Sequence, residues 1–392
     1  MSKQYISTVS TGAAHESDIL DLAVTNRYTV TVSSDGYANF WDNKQDETHD
    51  PRKFVTRKLV NRAGLHHVAA YESVLPGSQV KVVVLAVVAF DGSLTFLCFV
   101  QDDIKTLVEV SAGGVDGFKE LNSWCPGFYI DPESKSDYLV VTQASGETAV
   151  YRMEIAVDGK KENAVSIALE KFGTIKPTHS STPNSLAISA TVEKKIAIGY
   201  TSGEVVLYDL ESLKPIYTFK STDVGGSGSS SVPRAIRFSP GGSILAVARD
   251  NQSVGSITLY DAKYGENVGS LTTPSHSSKT KNVGGFAHDG WIMGLSFDEE
   301  GKLLASCGFD KCIRVWNMET RERVATITVS VSDLDGDAAS GAGAPELDHS
   351  VVSGVQFIKK GIRGGLGGDT NEGLCAISFD RGIRWYREAG GI

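Results

Sequence analysis

Cysteines, clustered basic residues and long apolar runs are all in short supply in this chain, and each shortage excludes something. The five cysteines among 392 residues (Cys98, Cys125, Cys307, Cys312, Cys375) are odd in number and show no Cys-x-x-Cys spacing. They therefore build neither a disulfide framework nor a zinc ribbon, and read as free thiols in a reducing compartment. Lys and Arg total 38 against 47 Asp and Glu, a formal net charge of −9. A phosphate-neutralising face needs clustered cations, and no basic run stands out, so no direct nucleic-acid contact is expected. The longest apolar run, Val82–Phe90, is far below the roughly 18 residues a membrane helix requires. The opening MSKQYISTVSTG lacks the apolar core of a signal peptide. The expectation is a soluble intracellular protein with no membrane partner.

Catalytic and metal motifs are missing too. There is no HExxH, no GxSxG and no Ser/His/Asp set in a recognisable context. His66-His67 invites a metal reading, but neighbouring strand residues point to opposite faces and no Cys or carboxylate spacing completes a site. The Gly-rich stretch Gly361–Gly373 matches neither the Walker spacing nor a GxGxxG opening a helix, and reads as a long hairpin loop. No metal, no cofactor and no enzymatic activity are expected.

What is present is repetition. Phe286–Ile327 reads as four short strands: WIMGLSF, KLLASCG, IRVWN and RVATI, separated by Asp-Glu-Glu-Gly, Phe-Asp-Lys and Glu-Thr-Arg-Glu turns. An Ala-His opens the unit and a Trp-Asn follows about thirty residues later, the signature of a WD-repeat propeller blade. The signature is a local network: His288 bonds Asp310 in the tight turn, and Ser306 with the indole of Trp316 completes the chain. The first copy repeats it with His15, Ser33, Asp35 and Trp41. These histidines and aspartates, Asp91 and Asp380 included, read as turn-fixing groups rather than as catalytic bases and acids.

The Trp slot recurs as Trp41, Leu97, Tyr151, Tyr208, Tyr260, Trp316 and Tyr386, roughly 52 to 70 residues apart. One blade cannot bury both faces of its sheet, so copies must stack. The fold class is all-β, a seven-bladed WD-repeat propeller. Expected spans are 13–62, 63–113, 114–172, 173–219, 220–272, 273–331 and 332–392. The last copy is short of an outermost strand, and Gln4–Val9 within residues 1–12 alternates like one. It is expected to pair with Ile383–Arg387 and close the ring, which removes exposed strand edges. Ser221–Ser231 and Ser330–Ser350 are Gly/Ser/Asp-rich and read as flexible loops between blades.

In such a ring the residue before each innermost strand and the residues of each second turn reach one rim. Aligning the copies places Asp18, His67, Trp124, Ser185, Val232, Trp291 and Val351 at the first position. Ser34, Phe90, Ala144, Thr201, Ser253, Phe309 and Phe379 fall at the second. The predicted partner-binding face is therefore Asp18, His67, Phe90, Trp124, Trp291, Phe309 and Phe379. An apolar patch with few charges has the composition of a protein-binding hot spot. Trp124 is placed to stack on a partner arginine while Asp18 pairs with its charge.

The stretches AHESDI, DGYANFWDNK, GLHHV, SLKPIYTF, IRFSPGGSILAVARD, SITLYDAKYGENVGSL, FAHDGWIM, IRGGLGGDTNE and DRGIRWYREAGG span the whole chain. Together they resemble the WD-repeat subunit of the superkiller (Ski) complex, its eighth component. The resemblance implies a non-enzymatic propeller held with a tetratricopeptide scaffold subunit and an RNA helicase, in a complex that feeds messenger RNA 3′ ends to the cytoplasmic exosome. In fungi it also implies binding to the meiotic DNA-cleaving transesterase. It further implies recognition of a Gln-Arg-x-x-apolar motif through one face, with Trp124 and Asp18 at fitting positions, and a cytoplasmic location with a nuclear pool in meiotic cells. Leu97, in place of an aromatic, and the 330–350 insert depart from the family pattern. An adaptor of another assembly and a propeller hydrolase are the alternatives.

Overall fold

The computed structural model describes residues 3–44, 49–76, 78–114, 122–133, 136–158, 164–177, 179–221, 231–251, 253–273, 285–334, 349–362 and 373–389. The expected flexible loops of 221–231 and 330–350, and the hairpin of 361–373, lie mostly outside these residues; of 330–350, residues 330–334 and 349–350 are described, and the former make a Ser330-capped 3-10 turn.

Seven antiparallel sheets of four strands follow one another along the chain. Their innermost strands are Ile19–Val24, Leu65–Val74, Ser123–Tyr129, Pro183–Ile188, Pro233–Phe238, Ile292–Phe297 and Val352–Ile358. These strands pack side by side around a central channel of about 640 Å³ lined by residues from all seven. The chain is a seven-bladed β-propeller; the only helical turn among the described residues is the 3-10 turn Val331–Asp333. The fourth strand of blade 3, Ala164–Ile175, runs past the boundary expected at residue 172. Its exposed edge is covered where Gly113 of blade 2 donates to Ile167 O and accepts from Leu169 N, both at 2.9 Å.

The second strand of blade 2 shows why the blades stack. Lys81–Ala89 reads KVVVLAVVA, apolar without alternation, because both of its faces are covered. Val82, Val84, Ala86 and Val88 pack with blade 3, and Val83, Leu85, Val87 and Ala89 pack with blade 1. The Trp-slot residues are buried in every blade, Leu97 included, and in six blades each faces the residue four before its own second strand's end; in blade 5, whose second strand Ile244–Asn251 is longer, Tyr260 faces Leu245. In the tight turns the residue after the Asp takes a left-handed conformation, as at Gly36 (φ 86°). A Cβ there would sit 2.2 Å from Asn61 O.

The ring closes through the N-terminal strand. Gln4–Thr11 pairs antiparallel with Ile383–Ala389, from Gln4 opposite Ala389 to Thr11 opposite Ile383, and so completes blade 7. Lys3 N also donates to Val324 O of blade 6 at 2.8 Å. Blade 7 depends on this strand to cover its third strand, so the whole ring should weaken without it. Deleting residues 1–11 is expected to lower the melting temperature by more than about 5 °C in one cooperative transition; an unchanged melting curve would refute the closure.

Candidate partner-binding face

Each blade first fixes the loop that leads to its inner strand. In blade 6, His288 Nδ1 bonds Asp310 Oδ1 at 2.9 Å and Nε2 bonds Ser306 Oγ at 2.7 Å. The Trp316 indole donates to the same hydroxyl at 2.9 Å. In blade 1, His15 Nδ1 meets Asp35 Oδ2 at 3.0 Å, His15 Nε2 meets Thr31 Oγ1 at 2.8 Å, and Trp41 donates to Thr31 Oγ1 at 3.0 Å. The strand hydroxyl here is Thr31, not the expected Ser33. Ser33 stands at the strand's end opposite Ile19, where its hydroxyl donates to Ser17 O at 3.2 Å and accepts from Asp35 N. Burial pushes the Asp35 carboxyl up, but bonds from His15, Glu16 N and Tyr37 N outweigh it and bring it down to about 2. Asp310 also lies near 2, with His288 and Arg314 overcoming its burial, while burial lowers His288.

The loops so fixed meet the second turns through one repeated backbone bond. Ser34 N donates to Asp18 O, Phe90 N to Gly64 O, Ala144 N to Asn122 O and Thr201 N to Thr182 O. Asp250 N donates to Val232 O, Phe309 N to Trp291 O and Phe379 N to Val351 O. The true equivalents of Asp18 are thus Gly64, Asn122 and Thr182 in blades 2 to 4, not His67, Trp124 and Ser185. In blade 5 the turn position belongs to Asp250, not Ser253, because that hairpin is longer. The displacement has one cause. Every inner strand carries a bulge just after this bond, for example between Leu65 and His67 and between Ser123 and Pro126. A bulge sets two residues against one and re-aims both. The first bulge residues are Leu20, His66, Trp124, Asn184, Arg234, Met293 and Ser353, and all line the channel. The bulge also corrects the reading of His66-His67. Their rings do not point to opposite faces but touch, with centroids 4.8 Å apart.

The mouth of the channel carries two aromatic groups. In blades 2 and 3, His66 lies 5.0 Å from Phe90 and 4.5 Å from Trp124, and His67 lies 5.6 Å from Trp124. In blades 5 to 7, Arg234 sits 4.8 Å over Trp291, Trp291 lies 5.4 Å from Phe309, and Phe309 lies 6.2 Å from Phe379. Phe90 is 52% exposed, Phe309 40% and Trp291 38%; Trp124 and Phe379 are half-buried, Trp124 against the core of blades 3 and 4. Asp18 is exposed in blade 1, between the two groups, and nothing among the described residues bonds its carboxylate. Blade 2 separates it from Trp124.

The WD domain, G-beta repeat family matches residues 280–317, the sixth blade. Antiviral protein SKI8 of Saccharomyces cerevisiae is 34% identical over 403 aligned residues, covering all of both chains. The chain belongs to the SKI8 family. Other likenesses are partial: WD repeat-containing protein 1 of Gallus gallus is 28% identical over 45% of this chain and 28% of its own. Striatin-4 of Mus musculus is 26% identical over 37% of this chain and 17% of its own. They share the repeat; the SKI8 likeness runs from end to end.

Below the mouth, the channel of this SKI8-family propeller holds groups that sequence reasoning passed over. Asp21 Oδ2 accepts from Val68 N and Oδ1 from Leu22 N, both at 2.9 Å, so one carboxylate ties blades 1 and 2 together. Burial raises it to about 6, against the pull of the Val68 bond and the Arg237 charge. Burial also lowers His66 to about 4 and His67 to about 3, the latter with help from the charges of His66 and Arg237, and lifts the Cys125 thiol to about 12. Both histidines are neutral at pH 7 and the thiol is inert. Among the described residues no three His, Cys, Asp or Glu side chains gather as a metal site would need, and no helix is long and apolar enough to cross a membrane. Arg234 and Asp250 were missed as well. Only the bulge and the longer hairpin bring them to the rim, and neither shows in residue types.

The signs of these shifts fix a pH dependence. Asp35 and Asp310 sit below their ordinary value, so their contribution is complete above about pH 4 and lost as pH falls toward 2. Asp21 sits above its ordinary 3.8, so its contribution is complete below that value and lost as pH rises through about 6. His66 and His67, held below their ordinary 6.5, act with the opposite sign and add stability as pH rises toward that value; between pH 4 and 6 Asp21 subtracts on the order of 2 kcal/mol from that gain. Asp21→Asn keeps an acceptor for the backbone and should gain more stability than wild type between pH 4 and 6; denaturant melts showing the same pH dependence in both proteins would contradict the assignment.

Proposed function

We propose that this chain is a non-catalytic scaffold of a superkiller-type complex, holding a tetratricopeptide scaffold subunit and helping to position an RNA helicase that feeds messenger RNA to the cytoplasmic exosome. The end-to-end likeness to antiviral protein SKI8 supports the assembly. The observation that carries the mode of action is the channel mouth, where Phe90, Trp291 and Phe309 stay exposed while every Trp-slot residue is sealed. Phe54 and Tyr264 are exposed too, but rings grouped on one rim are the makings of a peptide hot spot.

The partner segment in this reading is a Gln-Arg-x-x-apolar motif. Trp124 offers a ring to its arginine, and Asp18 offers a carboxylate that no described residue bonds. The same face would serve the DNA-cleaving transesterase in meiotic cells, which calls for a nuclear pool beside the cytoplasmic one. His67, half-buried beside Trp124 and neutral, supports the ring rather than touching the peptide. Calorimetry with a Gln-Arg-x-x-Phe peptide tests the proposal. Wild-type protein should bind, and Trp124→Ala or Asp18→Ala should each cost about 2 kcal/mol or more. Binding that survives both substitutions would sink it.

A further inference from the structure

The blade 5–6 half of the mouth already holds an arginine, and it is the chain's own. Arg234 stacks over Trp291 at 4.8 Å. Its Nε lies 3.1 and 3.0 Å from the two Asp250 carboxylate oxygens, and its Nη2 lies 2.5 Å from Oδ2. Asp250 is itself pinned at the rim, where its N–H donates to Val232 O at 3.0 Å. Aromatic face, carboxylate and fork-shaped cation form a complete guanidinium seat. It is not sealed: the Arg234 side chain is 29% exposed, while that of Asp250 is 10% exposed.

The opposite half differs in one respect that matters. No Lys or Arg among the described residues stacks on Trp124, its histidine neighbours are neutral, and no described residue bonds the Asp18 carboxylate. We infer that Trp291 and Asp250 form a latent arginine-binding site that Arg234 fills in cis, and that this self-filling directs a partner's arginine to the Trp124 half. Arg234 is thus a specificity-determining residue for the face. A second guanidinium brought to Trp291 meets a ring already covered and a carboxylate already neutralised, whereas removing Arg234 leaves a nearly buried Asp250 charge in want of a cation.

The seat itself exists whether or not the face binds peptide; only its directing role rests on the proposed function. Two arms keep these apart. In the first, full-length Arg234→Ala is titrated calorimetrically with N-acetyl-arginine amide. It should bind at least tenfold more tightly than wild type, and Arg234→Ala with Asp250→Asn should lose the gain. Equal binding by wild type and Arg234→Ala overturns the inference. Arg234→Met, which keeps a stem over Trp291 while vacating Asp250, replaces the alanine variant if that one fails to fold, with the same expectation. In the second arm, Gln-Arg-x-x-Phe peptide is offered to Trp124→Ala and to Trp124→Ala with Arg234→Ala. Recovery of binding in the double variant only supports the directing role, and its absence, where wild type binds, overturns that role. A wild type that ignores the peptide overturns the reading of the face and leaves the arginine-amide result to decide the seat.

Discussion

One backbone hydrogen bond, made seven times, organises the mouth of this propeller. In each blade the turn between the second and third strands donates an N–H to the carbonyl just before the inner strand. The bulge that follows turns the next two side chains toward the channel. Residues far apart in the chain, from Leu20 to Ser353, thereby reach one ring of positions. The histidine–aspartate relays of blades 1 and 6 hold the same loops from the other side. Each relay is buried, which makes a partly satisfied version costly and a complete one rigid.

That rigidity explains how an exposed aromatic rim coexists with a well-sealed protein. The Trp-slot residues and the alternating valines of blade 2 bury the apolar surface between sheets, so the rings at the mouth are not needed for the core. They stay outside because the turn bond fixes their backbone, as it does for Phe90 and Phe309. Charge is distributed with similar economy. The carboxylate of Asp250 is spent on Arg234, that of Asp21 on two backbone amides, and that of Asp18 on nothing described.

Legibility in the sequence followed periodicity. The seven blades, the closing strand and the buried slot come from alternation and spacing, which are properties of residue type. The turn residues Phe90, Phe309 and Phe379 were found because they sit at a fixed offset from a turn Asp. Positions next to the inner strand were not, since a bulge adds a residue without leaving a compositional mark: His67 and Trp124 lie three and two places past the equivalents of Asp18. The pattern points to Ser33 and not to Thr31, since it does not reveal which hydroxyl on one strand face comes into register with the tryptophan. Arg234 and Asp250 carry no local motif at all, and their pairing is visible only in three dimensions.

Amide hydrogen exchange of the full-length protein with and without a Gln-Arg-x-x-Phe peptide tests the central claim most directly. The account predicts added protection at the loops and turns of the mouth, around Asp18, Ser34, Gly64, Phe90 and Asn122. It predicts none at the turns of the opposite face, around Leu213, Gly265 and Arg321. Protection centred on those opposite turns, or none at the mouth while the peptide is bound, would contradict it.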